Sequence, residues 1–327
     1  MSIFQLFEIG KSAIFASKTA LGITSNNIAN VNTEGYCRQD AIMQIANPVE
    51  MNGDYIGRGV GDVEIRRYYD LFIHRQIITQ SNHYGRSYSL DRGLSYVEQI
   101  FNEVQDLGLL NSLQSYFNTW QEVADNPEDT AQRTVLLRSA RSFINVTKQT
   151  ESDIMSTLKF MNDEIGSVVD HINILTSNIA KANERIAEIE AGSSTEKAAT
   201  FRDERGRLMT ELSEYMDYDW TESDDGAITV IGGRRTLVSG IESYQLATSL
   251  GGDGDRTITS RGSDITSLFR EGKLAGYIEA RDFIRNSALY DLRKLAAAII
   301  KETNVLHNSG YGLDSSTGND FFKALTL

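Results

Sequence analysis

Apolar residues recur at strict sevens near the start of the chain, at Phe7, Ile14, Leu21 and Ile28. A second row, Leu6, Ala13 and Ala20, stands one residue earlier. Such a repeat puts one stripe on a helix and asks for a partner helix. The stripe is narrow, so it predicts a segment that packs against other helices, or else an ordinary N-terminal core helix; periodicity fits both. Residues 39–65 change period: Gln39, Ala41, Met43 and Ile45 alternate with Asp40, Ile42, Gln44 and Ala46. Pro48 and Asn52-Gly53-Asp54 supply a turn, and Val63 and Ile65 resume the alternation, which predicts a β-hairpin. From Asp70 to Glu190 the pattern is helical again. One stripe holds Leu90, Leu94, Val97, Phe101 and Val104; after a break at Gly108 the next holds Leu109, Leu113, Phe117, Trp120 and Ala124.

The longest signal runs from Ile154 through Leu158, Met161, Ile165, Val168, Ile172, Leu175, Ile179, Ala182 and Ile186 to Ile189, at alternating spacings of four and three. That is a coiled-coil seam. Asn126 reads as its cap and Pro127 as its first position. A helix over 128–191 is about 95 Å long at 1.5 Å per residue, which predicts an elongated molecule. Gly192-Ser193-Ser194-Thr195 breaks it, and Phe201, Leu208, Leu212 and Tyr215 mark a returning antiparallel partner. Short strand signals with Asp/Gly turns follow over 217–269, and a last helix opens at Gly272 with Ile278, Arg281, Leu292, Leu295, Ile299 and Leu306 on one face.

The expected fold is mainly α with an inserted β domain (α+β). It is an elongated helical bundle or coiled coil with an N-terminal heptad helix, a β-hairpin and a small β domain. The boundaries read as 1–32 for the terminal helix, 33–216 with 270–308 for the helical body, 217–269 for the insertion and 309–327 for the start of a C-terminal region.

Composition narrows the function classes. The chain has 327 residues and a net charge of −13, which argues against nucleic acid or an anionic membrane as partner. No apolar run approaches the roughly 20 residues a bilayer needs, and no secretory signal opens the chain. Cys37 is the single cysteine, so an internal disulfide is excluded. The four histidines are scattered and no nucleophile elbow appears, so an enzyme is not expected. Gly57, Gly59 and Gly61 lack the strand–loop–helix context of a phosphate loop, and the acidic loops at 224–226 and 251–255 do not have EF-hand spacing. No cofactor or metal is expected.

The stretch after the first helix is more specific. Ala29-Asn30-Val31-Asn32-Thr33-Glu34-Gly35-Tyr36 ends a helix physically, because Asn and Thr compete with its backbone bonds and Gly35 can turn left-handed. Ala-Asn-x-x-Thr-x-Gly-Tyr after a heptad helix resembles the signature of bacterial flagellar rod, hook and hook-associated proteins. Continuing through Cys37, Arg38 and Gln39, it narrows towards the hook-associated proteins of the hook–filament junction. Further stretches resemble the same family: 56–60, 65–72, 117–121, Asn126-Pro127, Asp203-Glu204-Arg205, Leu274-x-Gly276, 304–314 and 318–322. Gly206 departs from it, standing where the family has an acid.

The resemblance implies an extracellular structural subunit of the flagellum, exported without a cleaved signal peptide and built for self-association. It implies the hook protein, the second junction protein, and the export apparatus with its chaperone as partners. Phe7, Ile14, Leu21 and Ile28 would form the assembly seam, and Asn30, Thr33, Gly35 and Tyr36 would set the geometry between terminal helix and body. The family extends beyond Leu327 with a helix that pairs with the first, so the first helix is expected to lack its main partner here, to be mobile or to pack opportunistically. A hook or rod protein would share the Asn30–Tyr36 signature without the long helices. A secreted coiled-coil adhesin is the reading from another class.

Overall fold

The computed structural model describes residues 3–51, 53–101, 108–191, 198–252 and 254–323. The fold is mainly α with small inserted β sheets. Seven α-helices are described: α1 (Ile3–Ala29), α2 (Leu71–Phe101), α3 (Leu109–Asp125), α4 (Thr130–Ala191), α5 (Ala199–Tyr215), α6 (Gly272–Phe283) and α7 (Tyr290–Asn308). Between α1 and α2 lie β1 (Gln39–Ile45), β2 (Val49–Met51), β3 (Asp54–Ile56) and β4 (Val60–Arg67). Between α5 and α6 lie β5 (Asp219–Glu222), β6 (Ile228–Gly232), β7 (Arg235–Ser239), β8 (Glu242–Ser243), β9 (Ala247–Leu250), β10 (Arg256–Ser260) and β11 (Ser263–Asp264). Val104 of the first helical stripe and the expected break at Gly192–Thr195 lie outside the described residues, as do Asn52 of the hairpin turn, Asp253 and the last residues to Leu327.

The chain divides into two compact units, Met1–Arg86 with Ser167–Ala275, and Ser87–Gly166 with Gly276–Leu327. The first holds α1, the hairpin and both inserted sheets. In the hairpin β1 pairs antiparallel with β4, from Gln39↔Arg67 to Ile45↔Val60, and β2 pairs with β3 at its tip. The inserted strands form an antiparallel sheet β5-β6-β7-β8 and a second one β11-β10-β9. The end of α4 and α5 are antiparallel: Glu190 meets Arg202, Asn183 meets Arg205 and His171 meets Glu211, so partners ascend one helix as they descend the other. In α4, Ile172, Leu175, Ile179 and Ile186 are buried, as are Leu208, Met209 and Leu212 of α5. Asn183, fully buried, donates to Ile228 O and Gly240 O and accepts from Arg205, which fastens the larger sheet to the helix pair.

The second unit packs around Tyr116, with Val123, Leu136, Phe143, Ile299 and Phe322. The Tyr116 hydroxyl meets Thr303 Oγ1 at 3.0 Å, which satisfies the one polar atom that ring carries into the core. Two local expectations are corrected here. Helix α4 is capped by Asp129, whose carboxylate accepts the Ala131 amide at 2.7 Å, and not by Asn126, which closes α3. Leu295 and Leu306 are exposed while Leu292 and Ile299 are buried. A π-helical turn at Ile284–Leu289 separates α6 from α7; the buried face of α7 is the narrow row of Leu292 and Ile299.

Candidate functional site

The candidate site is the first helix and its attachment. Along α1 the residues that lose solvent are Gln5, Ile9, Ser12, Ala16, Ala20, Ile23 and Asn27, at helical spacings of three and four. Only Ala16 and Ile23 among them are fully buried, and this face lies on β1 and β4. Its middle residues, Ser12, Ala16 and Ala20, are small, and the helix approaches the hairpin closely; at Gly59, a Cβ would meet Ile9 and Ser12 at 2.9–3.3 Å. The heptad row Phe7, Ile14, Leu21 and Ile28 lies on the opposite face, 71, 71, 68 and 70% exposed. The helix thus has two seams, a small-residue one used within the chain and a large apolar one facing outward.

The end of α1 is closed by its own side chains. The Asn30 amide donates to Asn26 O and Oδ1 at 3.0 and 2.8 Å, and Asn30 Oδ1 accepts the Thr33 hydroxyl at 3.1 Å. Asn26 O also takes the Asn30 backbone amide at 3.0 Å, so the side chain adds a second donor to the last helical turn. Gly35 then takes φ +78°, a left-handed angle that other residues reach only with strain. A Cβ there would stand 3.1 Å from Cβ of Arg207 in α5. Tyr36 turns back: its hydroxyl donates to Asn27 Oδ1 at 2.8 Å and accepts from Asn26 Nδ2 at 3.3 Å. Asn27 also pairs with the backbone of Gln39, accepting from its N at 2.9 Å and donating to its O at 2.8 Å. A helix side chain therefore mimics a strand neighbour for the first residue of β1.

Ala29 and Arg38 are exposed; the Arg38 guanidinium lies 4.8 Å over the Tyr68 ring. Gln39 is buried, and its Nε2 has no partner among the described residues. Sequence reasoning did not single out Asn26 or Asn27, and saw in Arg67 and Asp203 only parts of family-like stretches. Two adjacent amides near the end of an apolar helix were the available signal for the first pair. Arg67 ends β4 and donates through Nε at 2.8 Å, and through Nη2, to Asp203 Oδ1. The Cys37 amide donates to Asp203 Oδ2 at 3.3 Å. Burial, and then the Asp203 carboxylate, push the Cys37 thiol up, so it is held as a poorly reactive thiol. Burial raises the neighbouring Tyr69 hydroxyl to about 12. Both shifts carry the Cys37 thiol and the Tyr69 hydroxyl away from neutrality. Among the described residues no group of three or more His, Cys, Asp or Glu could hold a metal ion. No described helix is long and apolar enough to cross a membrane.

Comparison with known proteins agrees with this anatomy. Residues 7–36 match the flagella basal body rod protein family, and residues 94–322 match the flagellar hook-associated protein FlgK helical domain. The flagellar hook-associated protein 1 of Salmonella typhimurium is 31% identical over 97% of this chain and 59% of its own length. That of Escherichia coli K12 is 29% identical over 97% of this chain and 60% of its own. The Bacillus subtilis protein of the same name is 26% identical over 98% and 70%. The chain spans about three fifths of the length of the first two relatives. The solved flagellar hook junction protein FlgK from Burkholderia pseudomallei shares the fold, with a TM-score of 0.61 at 24% identity over 72% of this chain and 45% of that one. With the helical-domain match covering most of its length and the rod-type signature falling on α1 and its closing turn, this chain belongs to the flagellar hook-associated protein 1 family.

Proposed function

We propose that this chain is a structural subunit joining hook to filament in the bacterial flagellum. It acts outside the cell and leaves through the flagellum's own export route without a cleaved signal. It assembles with copies of itself, and contacts the hook protein on one side and the second junction protein on the other. The observation that carries this reading is the outward seam of α1. Four large apolar residues at heptad spacing stand open on a helix already seated by its other face. An open apolar row at coiled-coil spacing favours a further helix, and repeated heterologous contacts of that kind build rings and tubes. The names of the relatives support the same role. Phe7, Ile14, Leu21 and Ile28 are the proposed seam. Ala29, Asn30, Thr33, Gly35, Tyr36, Arg38 and Gln39 form the proposed joint to the body.

The test is electron microscopy of cells lacking the gene, with flagellin assayed in the medium. Bare hooks with flagellin lost to the medium are expected, restored by the natural gene and not by one carrying Ile14→Asp with Leu21→Asp. Missing hooks would move the chain to the rod or hook subunits. Normal filaments would remove the flagellar role.

A further inference from the structure

We propose that Asp203 is a clamp that positions the arm formed by α1 and the hairpin on the helical body, and that assembly depends on it; the second half rests on the junction reading above. Among the described residues, the hydrogen bonds joining residues 35–67 to α5 end on this one carboxylate. Its two oxygens take different ends of the hairpin. Oδ1 holds Arg67, the last residue of β4, and Oδ2 holds the amide of Cys37, which leads into β1. A single attachment would leave a pivot. Two attachments on neighbouring strands, paired at Gln39↔Arg67, also resist twisting about it.

The pair is sheltered. The Arg67 and Asp203 side chains are 14% and 8% exposed, so water and salt screen them little. The Arg67 guanidinium also lies 5.2 Å over the Tyr69 ring, which limits its other rotamers. A guanidinium held by two of its nitrogens is fixed in direction as well as distance.

The clamp is mounted on a braced helix. On either side of Asp203, Arg202 binds Glu190 of α4 at 2.8 Å, and Arg205, 4% exposed, binds Asn183 at 2.9 Å and Glu222 at 2.9 Å. The arm's direction then passes from α5 to the hairpin base through Asp203, and from Gln39 to α1 through Asn27. Neither Asp203 nor Arg67 touches the outward seam, so any effect on assembly is exerted through position.

The experiment is amide hydrogen exchange on the whole chain carrying Asp203→Asn, which keeps the shape and removes the charge. Exchange over 36–45 and 60–67 should quicken by on the order of 100-fold, because losing one partner strands a buried charge. Residues 172–186 of α4 should keep their rates. Cells carrying the variant should show bare hooks and flagellin in the medium. Unchanged exchange in the hairpin overturns the clamp, and so does a loosened hairpin on cells that keep normal filaments. If Asp203→Asn loosens α4 as well, Arg67→Lys decides, since it keeps the charge and gives up the two-point contact. Selective loosening of the hairpin by roughly 10-fold sustains the proposal, and equal loosening of both regions refutes it. Failure of the natural gene to restore filaments would defeat the junction reading alone and leave the exchange result standing.

Discussion

Two helices of this protein carry the same heptad code and meet opposite fates. In α4 the row from Ile154 to Ile186 is almost wholly inside, with Ile154, Ile165, Ile172, Ile179 and Ile186 fully buried. In α1 the row Phe7, Ile14, Leu21 and Ile28 is about 70% exposed at every position. Periodicity states that a face favours cover; it does not state what supplies the cover. For the end of α4 the cover is α5, a helix eight residues further along the chain, so the seam is satisfied within one molecule. For α1 the nearby element is a hairpin, which takes the small-residue face and leaves the large one open. The first helix also has a second seam in register with the first. Ser12, Ala16 and Ala20, of which the apolar repeat marked only Ala20, are the seat on which the helix sits.

The sharpest way to break this comparison is to truncate one residue in each seam. Ile172→Ala should lower unfolding free energy by about 2–5 kcal/mol, since it opens a cavity in a packed interior. Leu21→Ala should shift it by less than about 0.5 kcal/mol, since nothing covers that side chain within the chain. Urea denaturation followed by circular dichroism measures both. Similar losses would mean that the first seam is covered within the monomer after all.

Glycines give a second contrast, with opposite signs. Gly35→Ala should destabilise by roughly 1–2 kcal/mol, because φ +78° and the 3.1 Å approach of Arg207 both oppose a Cβ. Gly206→Ala should stabilise by roughly 0.4–1 kcal/mol, because it sits inside α5 with nothing within 4 Å of the added carbon. Thermal melts of the two variants on either side of the natural protein would establish the signs. A stabilising Gly35→Ala would discard the joint geometry.

The smallest expected effect concerns acid. His74, on the buried side of α2, has its pKa lowered, first by burial and then by Arg67. The unfolded chain, with an ordinary value near 6.5, then binds a proton before the folded one does. The stability tied to a neutral His74 is complete above about pH 6.5 and is lost on acidification below it, by at most about 1.4 kcal/mol per pH unit. His74→Phe should flatten that part of the stability–pH curve in denaturation series between pH 7.5 and 5. A slope unchanged by the substitution would assign the acid sensitivity elsewhere.

The pattern of side chains alone determined a good deal. It placed the helical stretches, the hairpin of 39–65 and the inserted strands, because periods of 3.6 and 2 are written residue by residue. It also marked Asn30, Thr33, Gly35 and Tyr36, whose turn chemistry is local: each hydrogen bond of Asn30 and Thr33 spans four residues or fewer. The cap of α4 was misplaced because Asn126, Pro127 and Asp129 all carry start signals, and only backbone geometry chooses among them. The apolar face of α7 was drawn too wide because Leu295 and Leu306 stand at helical spacings from buried Leu292 and Ile299, and only packing shows where the covered stripe ends. What tertiary structure alone decided is the choice of face and the clamp. Asp203 and Arg67 stand 136 residues apart, and neither has a local reason to be an ion pair. That pairing exists because α5 starts its return along α4 beside the hairpin base, and it is buried because the two elements exclude water between them.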